Sequence, residues 1–347
     1  GMHRYTYPAD AEEGLVVDLD YNIWGIRPLA EGMTVVDSCT VTGYRFSDGM
    51  AKKQKLFFAM RFSRPIREYL LSEVGGTPAA VASVEGTRVR GWFGFGPADG
   101  QPLLVKTGIS SVDAAGALAN LQAENPGWNF DAVKQAAQQQ WREELERLKV
   151  TSEGAEDAKK IFYTAFYHAL IAPNTFSDVD GRYRGADDSI RTAEGYTYYS
   201  TLSLWDTFRA WAPLMFITDP GMTADLMNTM LGYYDQAGQL PVWTLWNTES
   251  YSMTGNNAIP VVLGAYNSGI RDFDHPKMLE AMKRSMNVDI RDLDLYKKYG
   301  YVPCDKADIS VSTTLDYAFN DWCVGQLAKA LGREEDYAFY DDRSRAY

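Results

Sequence analysis

The sequence predicts a β-sandwich followed by an all-α domain, and three observations predict it. Residues 1 to about 113 carry short β-branched and aromatic runs divided by Gly, Pro, Asp and Ser, the composition of strands and turns. From residue 151 onward, apolar residues recur at helical spacing with almost no strand signal. A chain of 347 residues is also long enough to bury two sizeable cores.

The elements follow in chain order. VTGYRF, KLFFAMRF, AVASVEG, VRGWFGFG and LLVKTGISS read as strands, with Asp48-Gly49 and Gly75-Gly76 as turns between them. Their spacing suits an antiparallel sandwich. At Asp113 the character changes. AAGALANLQAE is helical in composition and NPGW breaks it. The next segment places Phe130, Val133, Ala137, Trp141, Leu145 and Leu148 at helical spacing, with Asn129 or Asp131 as its cap. The expected organisation is therefore a sandwich over 1–113, a helical linker over 114–150 and an α domain over 151–347. In that last part AEDAKKIFYTAFYHALIA, SLWDTFRAWAPLMFI and GMTADLMNTMLGYYDQAG each read as one helix, the third stopped by Gly238. Ala258–Ser268, Pro276–Met286 and Val311–Leu331 are further helices. Paired antiparallel helices are compatible with a toroid, whose closure no spacing proves.

Charge and composition remove several function classes. The formal net charge of −12 disfavours nucleic acid and anionic membrane, which need Lys/Arg patches. No apolar run approaches the roughly 18–20 residues that cross a bilayer, and no signal peptide opens the chain. Cys39, Cys304 and Cys323 cannot all pair with one another, which leaves room for one bridge and not for a disulfide framework, and His3, His168 and His275 are scattered. A zinc site or a Ser-His-Asp triad finds no motif here. The 22 Tyr, 9 Trp and 15 Phe bring flat faces that suit sugar stacking and core packing alike.

Four stretches can carry chemistry. In LPVWTLWNTESYSMTG, residues 240–255, Glu249 follows Trp243 and Trp246. An apolar setting favours an uncharged carboxyl, as a general acid requires; the bland reading is a solvated Glu in a Trp-rich loop. In LSLWDTFRAW, Trp205, Asp206 and Arg209 fall within one helical turn. Asp206 and Arg209 then form a surface ion pair, or Asp206 accepts sugar hydroxyls beside Trp205. Residues 167–187 form a turn-rich loop whose DVDG lacks the later carboxylates of an EF-hand. Residues 300–322 hold Asp305, Asp308, Asp316 and Asp321, either hard-cation ligands or acids favouring a helix dipole.

Several of these stretches, taken together and in order, resemble the α-mannosidases of glycoside hydrolase family 92. They are NLQAENPGWNFD, FYTAFYHALIAPNTFSDVDGRYRG, YSTLSLWDTFRAWAPL, LPVW with NTE and MTG, GIRDFD, GYVP, SVSTTLDYAFNDW and LAKALG. The resemblance implies an N-terminal β-sandwich, an (α/α)6-toroid catalytic domain that is incomplete here, and calcium-dependent inverting hydrolysis that removes terminal α-mannose from glycans. It implies Glu249 as general acid and Asp206 as a ligand of the mannose hydroxyls, with Trp205 and Arg209 in the same motif and Trp243 shaping the sugar pocket. It also implies a periplasmic or secreted location. The chain departs from the family at Gly255-Asn256-Asn257, where many members carry Gly-Tyr-His, and at Gly264-Ala265, where they carry Asp-Ala. Cys304-Asp305 stands where α-1,2-cutting members carry His-Glu, facing the leaving sugar. The Gly-Asn-Asp-Asp motif that supplies the family's base does not occur, so the sequence reads as a partial chain, with a second copy or the missing segment covering its open helical face. The alternatives are a carbohydrate-binding protein without turnover and another toroidal carbohydrate enzyme.

Overall fold

Alternating burial along aromatic strands builds the first half of the molecule. The computed structural model describes every residue except 24, 152 and 347. Among the described residues nine strands come first: β1 (Met2–Tyr5), β2 (Glu12–Asp18), β3 (Arg27–Asp37), β4 (Thr40–Asp48), β5 (Gln54–Phe62), β6 (Glu68–Glu73), β7 (Ser83–Gly86), β8 (Val89–Pro97) and β9 (Leu103–Ser110). They pair antiparallel into two sheets, one ordered β1-β9-β5-β4-β3-β7 and the other β2-β8-β6. Along β8 every second residue points inward, so Val89 and Phe93 are fully buried and Phe95 nearly so. They meet Met33, Val41, Phe58, Phe62, Leu71 and Val105 from both sheets in one core, as a sandwich requires. The five strands expected from sequence are present, AVASVEG only over its last four residues. The others, β1, β2, β3 and β6, carry charged or proline-containing runs that hide the alternation.

Two helices follow, α1 (Ala114–Glu124) and α2 (Phe130–Leu145). Asp113 caps α1 by accepting from the Gly116 N–H at 2.6 Å, and Asn129, not Asp131, caps α2 through the Ala132 N–H at 3.0 Å. α1 packs on β5 and β9. No residue of the apolar stripe expected on α2 is fully buried: Phe130, Val133, Leu145 and Leu148 are half-buried, and Ala137 and Trp141 are exposed. The helix rests on β1 at its first turn, where Arg4 lies 4.3 Å over the Phe130 ring and pairs with Asp131.

The chain divides into two compact units. The first comprises Gly1–Lys149 with Phe176–Arg184 and Ile190–Thr192, so the segment read from sequence as a linker belongs with the sheets. Asp178 is the reason the 176–184 loop joins it. Its buried carboxylate accepts from Ser110 Oγ at 2.6 Å and from Asn120 Nδ2 at 2.8 Å. Gly116 lies so close that a Cβ there would collide with the Asp178 carboxylate. This is the chemistry of the DVDG sequence: a side-chain anchor into unit 1.

The second unit comprises Val150–Thr175, Gly185–Ser189 and Ala193–Tyr347. After α3 (Glu156–Ala169), three short antiparallel pairings appear that the sequence does not signal. These involve β10 (Asn174–Thr175) with β13 (Tyr199–Ser200), β11 (Arg182–Arg184) with β12 (Ile190–Thr192) in unit 1, and β14 (Thr244–Leu245) with β15 (Thr248–Glu249). The helices are α4 (Leu204–Thr207), α5 (Trp211–Thr218), α6 (Pro220–Ala237), α7 (Ala258–Asn267), α8 (His275–Ser285), α9 (Leu293–Tyr299), α10 (Ser310–Ala330) and α11 (Glu334–Arg343). Their core gathers Met227 and Met230, Val262, Met278 and Met282, and Tyr317, Val324 and Leu327. Gly238 takes the left-handed conformation, φ 74°, that ends α6 as expected.

Residues 203–217 form two helices where the sequence suggested one. Pro213 explains the break. In a continuous helix its ring would strike the carbonyl of Arg209. Restarting at Trp211 puts Pro213 in a first turn, where its missing N–H costs nothing. The four acids of 300–322 also part company. Asp321 is buried against Arg343 at 2.6 Å, Asp316 accepts from Thr254, and Asp305 and Asp308 are exposed.

Candidate active site

The site residues of unit 2 are brought together by a two-residue bridge. The Leu202 N–H donates to the Thr244 carbonyl at 2.8 Å and the Thr244 N–H returns to Leu202 at 3.2 Å. This sets the start of α4 beside β14. Asp206, in the first turn of α4, then receives the Trp243 indole N–H on Oδ2 at 3.3 Å and the Ser203 hydroxyl on the same oxygen. Ser203 follows the S-x-x-D pattern of a helix start, yet its hydroxyl serves the acid rather than a backbone N–H.

Glu249 leaves β15 half-buried. Its Oε2 accepts from the Val242 N–H at 2.8 Å; its Oε1 accepts from the Trp243 N–H at 2.8 Å and the Tyr251 N–H at 2.9 Å. Trp243 thus touches both acids, Glu249 with its backbone and Asp206 with its ring. Tyr233 is buried close by, and burial followed by the charge of Glu249 pushes its phenol well above the usual range. The same two causes, in the same order, raise Tyr251.

The hairpin that aims Glu249 is strained. Trp246 and Asn247 form its two-residue turn with φ of 54° and 57°, both left-handed, as a primed turn demands. Asn tolerates that region; Trp does so at a cost of about 1–2 kcal/mol. Tyr198 Oη bonds Asn247 Oδ1 at 2.9 Å, and the Asn247 N–H reaches Ser200 Oγ at 3.2 Å. Beyond Glu249, Tyr251, Met253 and Gly255 are left-handed too. Strain of this kind persists only where surroundings over-determine it, and it concentrates at functional sites.

The remaining expected residues are placed as follows. Trp205 is half-buried on α4. Arg209 lies past the end of α4 and stacks over Phe208 at 4.5 Å, so no turn of helix pairs it with Asp206. Cys304 and Asp305 are exposed in the turn after Pro303, where Lys306 stands 3.9 Å from Asp305. Among the described residues no hydrogen bond or ion pair joins that turn to Glu249 or Asp206. The sequence alone gives no role to Ser203, Tyr233 or Tyr251. The S-x-x-D spacing could have found Ser203; nothing local marks Tyr233. Among the described residues no three of His, Cys, Asp and Glu gather at metal-ligand spacing, and no helix is long and apolar enough to cross a membrane.

Comparison with known proteins bears on this geometry. Residues 1–110 match the glycosyl hydrolase family 92 N-terminal domain and residues 116–347 its catalytic domain. The chain is similar to the solved structure of a family 92 α-mannosidase from Bacteroides thetaiotaomicron, with 31% identity and a TM-score of 0.94, covering 100% of this chain and 48% of that one. A family 92 inverting mannosidase from the same organism shares the fold at 24% identity and a TM-score of 0.87, over 98% of this chain and 47% of that one. An uncharacterised secreted glycosidase of Arthroderma benhamiae is 26% identical over 254 residues, 67% of this chain and 29% of that protein. The chain therefore spans about half the length of the solved relatives.

Proposed function

This chain belongs to glycosyl hydrolase family 92, and from that premise we propose that it carries the general acid of a secreted, exo-acting α-mannosidase that releases terminal mannose by inversion. One observation carries the reading: Trp243 binds Glu249 through its backbone N–H and Asp206 through its indole N–H. An acid and a hydroxyl-binding carboxylate thereby share one rigid spacer.

The hydrogen bonds support one oxygen of Glu249 over the other as the proton carrier. A carboxylate oxygen has two acceptor sites. Oε1 of Glu249 fills both with the N–H groups of Trp243 and Tyr251, whereas Oε2 fills one, with Val242. Oε2 is then the oxygen that bears the transferable proton and faces the departing glycosidic oxygen. Asp206, exposed and held by Ser203 and Trp243, accepts hydroxyl hydrogens of the mannose. Inversion also needs a second carboxylate that activates water from the opposite sugar face; in this reading it comes from outside residues 1–347. Calcium is proposed from family membership alone; among the described residues no three acids gather to hold it. Cys304 and Asp305 are proposed to meet the leaving sugar.

The test uses the full-length protein with α-mannosides of differing leaving groups. Glu249→Gln is expected to lower kcat/KM by about 10²–10⁴ on a mannobiose and far less on a dinitrophenyl α-mannoside, which departs without a proton. Equal loss on both substrates would remove the acid assignment. Proton NMR that detects the α-anomer as first product would remove inversion from it.

A further inference from the structure

We infer that Arg291 is the positioning residue of Glu249, acting through the strained segment that follows the acid; the inference rests on the general-acid reading above. Arg291 precedes α9 and is far from Glu249 in sequence. Its guanidinium donates from Nη1 to the Gly255 carbonyl at 2.8 Å and from Nη2 to the Met253 carbonyl, and its carbon lies 5.9 Å from the centre of the Tyr251 ring. Those three residues are the left-handed ones, with φ of 52°, 67° and 72° at Tyr251, Met253 and Gly255. Two of them are not glycine, and each such residue favours escape to ordinary backbone by about 1–2 kcal/mol. The planar fork of arginine grips the two carbonyls at once, a geometry that a single ammonium does not reproduce.

The grip reaches the acid through one bond. The Tyr251 N–H is the second donor on Glu249 Oε1. Tyr251 moves with the segment that Arg291 holds, and its hydroxyl is fixed at the other end by Gln239 Nε2 at 2.9 Å. Release of Met253 and Gly255 lets Tyr251 turn, frees one acceptor site on Oε1 and lets the proton sit on the wrong oxygen. Arg291 is itself anchored, because its own carbonyl accepts from the buried Tyr317 hydroxyl at 2.6 Å. It also lines, with Val242, Gln239 and Tyr317, a void of about 10 Å³, room for no more than one water. Val242, the donor on Oε2, lines that same void. Thr254 to Asp316 at 2.5 Å and Asn256 N–H to Asn320 at 2.7 Å hold the alternate residues from α10 and leave the Met253 and Gly255 carbonyls to Arg291.

The experiment compares Arg291→Met, Arg291→Lys and Glu249→Gln in the full-length protein on a mannobiose and on a dinitrophenyl α-mannoside. The readout is the ratio of kcat/KM between the two substrates, which does not depend on the folded fraction. Arg291→Met is expected to lose about tenfold or more on the mannobiose and less than about threefold on the activated substrate, with the fall in kcat rather than a rise in KM. Arg291→Lys, expected to retain one of the two contacts, shows a shift of about threefold in the same direction and carries the test if the methionine variant does not fold. Unchanged ratios in the arginine variants, with Glu249→Gln discriminating between the substrates, would overturn the inference alone. If Glu249→Gln fails to discriminate, the acid reading falls and takes this inference with it.

Discussion

Asp178 shows how a residue read as part of a loop acquires a job from its surroundings. Burial pushes its carboxyl above the ordinary range, against the lowering by the Ser110 and Asn120 hydrogen bonds. A folded value above the unfolded one means that the protonated group favours the fold. That contribution is fully present below roughly pH 4 and is lost as pH rises through the raised value. Asp178→Asn does not titrate; its amide oxygen can still accept from Asn120 while its NH2 donates to Ser110 Oγ, as the protonated acid would. The variant is therefore expected to gain stability relative to wild type as pH climbs from about 3 to about 7, read as the difference in unfolding midpoint at each pH. A constant difference would show that the carboxyl binds its proton equally in the folded and unfolded protein. Glu249 belongs to the same scale. Its neighbours in sequence suggested an apolar setting, but the structure surrounds it with three N–H donors, and its chemistry follows from which acceptor site stays open.

At the scale of elements, short and strained pieces matter more than long helices. The hairpin turn at Trp246 and Asn247 carries two left-handed residues. Replacing Asn247 by Gly or by Ala removes the Tyr198 contact equally, while only Ala meets the left-handed penalty. Asn247→Ala is expected to be less stable than Asn247→Gly by about 1 kcal/mol, measured by denaturant unfolding; equal stabilities would mean that the turn relaxes. The α4–α5 break belongs here too. The apolar spacing runs straight through it, and only Pro213, read against the carbonyl it would strike, predicts the interruption. That break leaves Arg209 off the helix and frees Asp206 for Ser203 and Trp243.

At the scale of the molecule, a buried ion pair joins the last helices of unit 2. Asp321 has no exposed surface, and Arg343 binds both its oxygens, at 2.6 and 2.7 Å. The guanidinium lies among Tyr296, Phe339 and Tyr340. Arg343→Met leaves a buried carboxylate unpaired and is expected to cost about 3–5 kcal/mol, whereas adding Asp321→Leu recovers much of that loss. Unfolding midpoints of the single and double variants decide it; a double variant no better than the single would mean that the pair contributes beyond its charge balance.

The sequence by itself determined the order of the two classes of structure, the stop at Gly238 and the family, and it narrowed the cap of α2 to Asn129 or Asp131. Each of these is written in neighbouring residues, through alternation, helical spacing, side-chain capping or motif order. The motifs were legible around Asp206 and Glu249 for the same reason. Only the tertiary structure decided that Trp243 links those two acids, that Asp178 anchors a late loop to unit 1, that the acids of 300–322 scatter, and that Arg291 grips the loop after Glu249. These are meetings between residues 36 to 68 positions apart, or of side chains whose direction depends on a break or a left-handed turn. A local pattern carries no information about such distances, because the free energy that fixes them comes from burial and hydrogen bonding between segments that the chain brings together only on folding.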